Sequence, residues 1–162
     1  MFETMYGSRG VGLAAPQIGK ALRLFIIDGS PFAEDEAENE EEEKENEFLK
    51  TFKRVFINPI IEEETGEEWG FEEGCLSIPG IREEVFRKDK VVISYYNENW
   101  ELIEEELTGL AARVVQHEYD HIEAKLFTDY LSPLKKRLIK RKLTDISKGI
   151  VPVKYKMKFP KK

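Results

Sequence analysis

Gln116-His117-Glu118-Tyr119-Asp120-His121 contains both histidines of this 162-residue chain, placed four residues apart. On an α-helix, positions i and i+4 project from one face, so both imidazoles can reach one ion while the glutamate between them stays free to move protons. The competing account is a helix whose histidines only hydrogen-bond or face water. Against it stands the single cysteine, Cys75 in Glu73-Gly74-Cys75-Leu76-Ser77. A thiolate and two neutral imidazoles make a three-residue ligand set that leaves a position open for water, the feature that separates catalytic from closed structural metal sites. One cysteine cannot close an internal disulfide; in a reducing compartment it is an inert core residue, a reactive thiol or a ligand. Cys75, His117 and His121 are the candidate metal ligands, and Glu118 is the candidate general acid–base. Asp120 points elsewhere on the helix and is not read as a ligand. An extended HExxHxxGxxH scheme needs glycine at Ala124 and histidine at Phe127, and a downstream glutamate ligand fails because Glu123, the last glutamate, lies only two residues beyond His121, leaving only Asp129 and Asp145 to substitute.

Working outward, Thr108 is placed to cap a helix that begins at Gly109 and carries Leu110, Val114, His117 and His121 on one stripe. Residues 54–61, 68–71, 81–87, 91–96 and 101–107 are short β-branched or aromatic runs separated by Gly, Pro, Asn or charged turns, the pattern of antiparallel sheets. Residues 23–28 read as a buried strand before Gly29-Ser30-Pro31. Residues 1–6 read as the last turns of an amphipathic helix entering the glycine-rich turn Gly7-Ser8-Arg9-Gly10-Val11-Gly12. After Pro133, residues 134–147 put Leu134, Leu138, Ile139, Leu143 and Ile146 on one face and lysines on the other, with Gly149 as a stop: a basic C-terminal surface helix.

Length and an apolar content of 41% suit one core, so the expectation is a single catalytic domain over 1–162. No apolar run is long enough to cross a bilayer, and Met1-Phe2-Glu3-Thr4 lacks the basic-then-apolar layout of a secretory signal, which predicts a cytoplasmic protein without a membrane partner. The net charge of −7 is unevenly spread. Residues 34–47 hold ten acids against Lys44, and such a stretch predicts a disordered or mobile surface insert without chemistry. Residues 135–162 carry twelve lysines and arginines against Asp145 alone, either a solvated face or a surface for an anionic partner. No specific DNA contact is read from them.

Three segments, in order, carry a family resemblance: Gly10-Val11-Gly12-Leu13-Ala14-Ala15-Pro16-Gln17, Glu73-Gly74-Cys75-Leu76-Ser77 and Gln116-His117-Glu118-Tyr119-Asp120-His121. Together the chain resembles the peptide deformylases, from its first residues to at least Lys148. The resemblance implies an α+β fold of antiparallel β-sheets around a central metal-binding helix. It implies as substrate the N-formylmethionine of nascent polypeptides, cleaved to formate and a free amino terminus. Fe²⁺ is the ion it implies, and thiolate and imidazole donors also suit Zn²⁺, Ni²⁺ or Co²⁺. It assigns oxyanion stabilisation to the Gln17 amide and the Leu76 backbone N–H. On this reading Glu118 activates the attacking water and later protonates the departing amine. Leu110 and Val114, beside Val11 and Leu76, are placed to line a slot for the methionine side chain, and the peptide would add as a strand along Val11-Gly12 and Gly74. Glu73 and Arg82 are near enough to the ligand loop to orient it.

Members of that family usually carry a few dozen residues ahead of the position of Met1, and residues 34–47 exceed the usual loop. Two rival readings stand beside this one: an amidase or peptidase on the same metal scaffold with a different acyl group, and a non-catalytic metal-binding or ribosome-associated module whose basic segment meets RNA. Gln17 and Glu118 weigh against the second, since holding a metal requires neither an oxyanion donor nor a base. Ribosome contact through the basic segment fits the enzyme as well, because its substrate emerges there.

Overall fold

A computed structural model describes residues 1–34 and 37–159; positions 35–36 of the acidic stretch and 160–162 of the basic end lie outside the described residues. Strands β1 (Gly12–Ala14), β2 (Leu24–Asp28), β3 (Lys53–Cys75), β4 (Ile78–Tyr96) and β5 (Leu102–Thr108) hydrogen-bond in chain order, each antiparallel to its neighbour, as one five-stranded sheet. Helices α1 (Phe2–Gly7), α2 (Glu40–Thr51), α3 (Gly109–Ile122) and α4 (Pro133–Ser147) complete the described elements, with short 3₁₀ turns between them.

The sheet corrects the reading of many short strands in separate sheets. Residues 54–61 and 68–71 both belong to β3, and 81–87 and 91–96 both belong to β4. The interruptions are register shifts, at Ile57/Ile60, Ile61/Glu63 and Thr65/Glu68, where Asn58 (φ 50°) and Gly66 (φ 79°) take left-handed conformations. Bulges of this kind bend and twist a ladder without ending it, so the break in side-chain alternation looks like a turn in sequence. A last shift pairs Cys75 with Ile78 and reverses the chain through Leu76 and Ser77.

Helix α3 lies against the sheet. Ala111 and Ala112 are small enough to let it approach closely, and with Val114 and Val115 they pack on Phe25, Ile27, Phe56, Val91, Ile93, Tyr95 and Leu107. Phe56 sits between Phe25 and Tyr95, with ring centroids 4.5 and 4.3 Å away. Arg113, Gln116, Glu118, Asp120 and His121 are buried as well, so α3 is covered nearly all round and not on a single stripe. A helix in that position has to satisfy its polar side chains internally.

Two helices depart from expectation. The acidic stretch is helical from Glu40: Asn39 Oδ1 accepts from the N–H groups of Glu41 and Glu42, and four glutamates fill the first turn, where the helix dipole favours negative charge. Leu49 and Phe52 anchor its far end in the core. Thr108 makes no side-chain cap to α3; Glu45 of α2 does so instead, its Oε1 accepting from Leu110 N at 2.7 Å. In α4, Ile139 and Ile146 are buried with Leu143 beside them, whereas Leu134 and Leu138 are 66% and 72% exposed. At about 100° per residue, Leu138 lies one position off the line that Ile139, Leu143 and Ile146 share. Among the described residues no helix is long and apolar enough to cross a membrane.

Candidate metal centre

Cys75 stands at the end of β3, and His117 and His121 stand on consecutive turns of α3; their ligand atoms all lie within 4.8 Å of one another. Cys75 Sγ is 3.3 Å from His121 Nε2. His117 Nδ1 lies 2.9 Å from Glu73 Oε2, and donation of an Nδ1 proton to that carboxylate leaves the Nε2 lone pair for an ion.

Glu73 is the hub of a buried ionic network. Arg87 holds it at both oxygens, Nε to Oε1 at 2.7 Å and a terminal nitrogen to Oε2 at 3.1 Å, and gives its remaining nitrogen to Asp120 at 2.8 Å. Arg113 adds a bond to Glu73 Oε1 at 3.1 Å while bonding the carbonyls of Val85 and Trp69, and its guanidinium lies over the Trp69 ring. Tyr130 donates to Asp120. Two guanidiniums face two carboxylates, so the cluster is charge-balanced with His117 neutral, the condition for burying it at tolerable cost. Burial pushes the Glu73 carboxyl up, but the hydrogen bonds with His117 and Arg87, together with the charges of both, hold it down at about 2.

Burial works against protonating either histidine. At His117 the hydrogen bonds to Cys75 and Glu73 outweigh it and carry the pKa up to about 10, while at His121 burial, reinforced by the charges of His117 and Arg87, brings it down to about 3. The field around the three donors therefore favours one positive charge among them. Thiolate with imidazole is a donor set that transition metals and zinc accept.

Glu118 lies beside these donors, buried, with Oε2 lacking a partner among the described residues. Burial pushes its carboxyl up to about 7, with the His117 charge opposing and that of Glu73 adding. A carboxyl poised near neutrality can both accept and return a proton. Gly12 backs it: a Cβ there would overlap the Glu118 carboxyl. The amide of Gln17 is oriented at both ends, since its Oε1 accepts from Ala14 N at 2.7 Å and its Nε2 donates to Ser77 Oγ at 3.2 Å, 3.7 Å from Cys75 Sγ.

Cys75, His117, Glu118 and Gln17 open onto one cleft between the β1 turn, the Cys75 bend and α3, whose lining also includes Val11, Gly12, Gly74, Leu76 and Val114. The model of the polypeptide deformylase family matches residues 1–137. The chain belongs to that family. Deformylases are hydrolases that remove the N-formyl group from nascent polypeptides. The chain is 61% identical over 160 residues to the peptide deformylase of Christiangramia forsetii, covering 99% of this chain and 80% of that protein. It is 55% identical to that of Flavobacterium johnsoniae, over 98% of this chain and 80% of that protein. Among solved structures, a peptide deformylase from Legionella pneumophila superposes with a TM-score of 0.71 at 41% identity, covering 92% of this chain and 78% of the other. One from Plasmodium falciparum reaches a TM-score of 0.76 at 35% identity with the same coverage. The mixed helices and antiparallel sheet are thus those of the deformylases.

One sequence-predicted position lies outside this deformylase cleft, and another lines it without touching a ligand. Leu110 packs against the core beside α2 and is not among the lining residues. Arg82 reaches the rim, where it is mostly exposed and pairs with Glu72, so of the two expected orienting residues only Glu73 touches a ligand. Sequence reading passed over Arg87 and Arg113. A signal existed for the first: Ile81, Val85 and Arg87 share strand parity, and all three are buried.

Proposed function

We propose that this chain deformylates the amino-terminal formylmethionine of nascent polypeptides with a divalent cation held by Cys75 Sγ, His117 Nε2 and His121 Nε2, Fe²⁺ being the expected ion and Zn²⁺, Ni²⁺ or Co²⁺ its substitutes. The observation that carries the reading is the convergence of those donor atoms within 4.8 Å beside a buried carboxylate oxygen that has no partner among the described residues. When bound, such an ion supplies Lewis acidity and an acidified water.

The chain's own residues do the rest. Glu118 takes a proton from the attacking water, whose oxygen bonds to the formyl carbon. Gln17 Nε2 and the Leu76 N–H face the oxygen that becomes negative, in the manner of an oxyanion hole. When the C–N bond breaks, Glu118 returns the proton to the amine, and formate and a free amino terminus leave. Val11, Gly12 and Gly74 offer backbone along which an extended peptide can add, with Val114 and Leu76 beside the first side chain. The central placement of α3 against the sheet serves to hold two ligands and the acid–base on one rigid element.

A nascent-chain substrate sets the working place in the cytoplasm, close to the ribosome. Helix α4 presents Arg137, Lys140 and Lys142 to solvent, a surface suited to RNA phosphates. Reversing these three to glutamate weakens cosedimentation with ribosomes at low salt if that contact exists, and leaves it unchanged if the face is only solvated.

The deciding assay is formate release from a formyl-Met tripeptide, beside its acetyl counterpart, by protein loaded anaerobically with Fe²⁺. Release from the formyl substrate alone is expected. Glu118→Ala is expected to keep its metal and lose formate release; turnover retained in that variant removes Glu118 from the acid–base role.

A further inference from the structure

Beyond α4 the chain returns to the cleft. Val151 packs on the cluster that includes Ile78 and Ile81. Pro152, Val153, Lys154 and Tyr155 line the cleft itself. Phe159 then folds back against Gly149, a left-handed residue at φ 74°, so closely that a Cβ there would stand 3.0 Å from the ring. Residues 149–159 therefore form a loop whose ends meet and whose tip covers the Cys75 bend. This loop lies outside the 1–137 stretch that the family model matches.

At the tip, the Tyr155 hydroxyl donates to the Leu76 carbonyl at 2.7 Å. The other side of that same peptide unit is the Ser77 N–H, which donates to Cys75 Sγ at 3.4 Å. A peptide unit is planar, so fixing its oxygen fixes the direction of its N–H. Hydrogen bonds in such a chain also polarise one another: a donor on the carbonyl strengthens the N–H as a donor to sulfur. Outer hydrogen bonds to a ligating group orient it and tune the ion it holds, and those to a thiolate draw electron density from the sulfur. Leu76 contributes its N–H through the preceding peptide unit, which meets the clamped one at its Cα.

We infer that Tyr155 is a positioning residue which, by clamping the Leu76–Ser77 peptide, holds the hydrogen bond received by Cys75 Sγ and so sets how strongly that sulfur donates to a bound cation. The inference rests on the reading of Cys75 as a metal ligand given above. It makes the carboxy-terminal loop part of the metal centre's support as well as a wall of the cleft.

The test is Tyr155→Phe in the full chain, which removes one oxygen and keeps the ring. Both proteins are loaded with Co²⁺, and the sulfur-to-cobalt charge-transfer absorption is recorded beside kcat and KM for a formyl-Met tripeptide. The band is expected to move to lower energy in the variant, with kcat down about two- to tenfold, the size of one lost neutral hydrogen bond, and KM unchanged. An unmoved band with unchanged kcat overturns the inference, the hydroxyl then serving only to tether the loop. A change in KM with an unmoved band overturns it too, in favour of direct contact with substrate. If the unsubstituted protein shows no sulfur-to-cobalt band, Cys75 is not a ligand and the reading on which the inference rests falls with it.

Discussion

A methyl group on Gly12 would overlap the Glu118 carboxyl, and a group that carries protons must sit within hydrogen-bond reach of the water it activates. Displacements near 1 Å cost about a hundredfold in rate, so Gly12→Ala is expected to lose about that factor in kcat while metal content, measured by atomic absorption, stays level. The sequence placed Gly12 on the edge expected to meet a peptide, and it does line the cleft, but its closeness to Glu118 was not legible, because that contact joins positions 106 residues apart. That His117, Glu118 and His121 sit together was legible from their local spacing, Cys75 joined them as the single thiol, and Gln17 was picked out by the resemblance of its segment to the deformylases; the fold does bring these side chains into one place. Arg87 and Arg113 carry no such signature. An arginine in a strand or helix usually snorkels to water, and only the fold brings these two to Glu73.

The acidic stretch was misread at the level of the element because charge was counted and anchoring was not. Apart from Glu45 its glutamates face water, and Leu49 with Phe52 at the far end suffice to dock α2. Docked, the helix delivers Glu45 to the exposed N–H of Leu110, where a carboxylate both hydrogen-bonds and meets the positive end of α3. Glu45→Ala is expected to lower global stability by about 1 kcal/mol, read as a shift of the urea midpoint at unchanged slope. The other end of α3 offers the reverse change. Ala124 follows the helix at φ 58°, with Lys125 N bonded back to the Asp120 carbonyl, a left-handed closing position that glycine occupies without strain. Ala124→Gly is expected to stabilise by about 1 kcal/mol, seen as a higher melting temperature with kcat unchanged. The start of helix α3 at Gly109 was legible, and its course through His121 followed from the shared stripe and the His117/His121 spacing. The long strands were not, because bulges at Asn58 and Gly66 imitate turns.

For the molecule as a whole, the donors come from two distant parts of the chain, Cys75 on the sheet and the histidines on α3. An ion bridging them binds the folded state only, and at a concentration 100 times its dissociation constant it adds about 2.7 kcal/mol. Removing the metal with a chelator is therefore expected to lower the melting temperature, with recovery on adding Fe²⁺ or Zn²⁺; in Cys75→Ala the melting temperature should not respond to either treatment. The buried network behind the site has a consequence in evolutionary time. Exchanging Arg87 alone leaves buried Asp120 with only the Tyr130 hydroxyl and Glu73 with Arg113 as its only guanidinium, and exchanging Glu73 alone takes from Arg113 its carboxylate and frees the His117 ring to turn. Each single step passes through a poorly folded or metal-poor intermediate, so these positions can drift only as a block. Across descendants of this sequence, substitutions at 73, 87, 113 and 120 should arrive together on the same branches or not arrive at all.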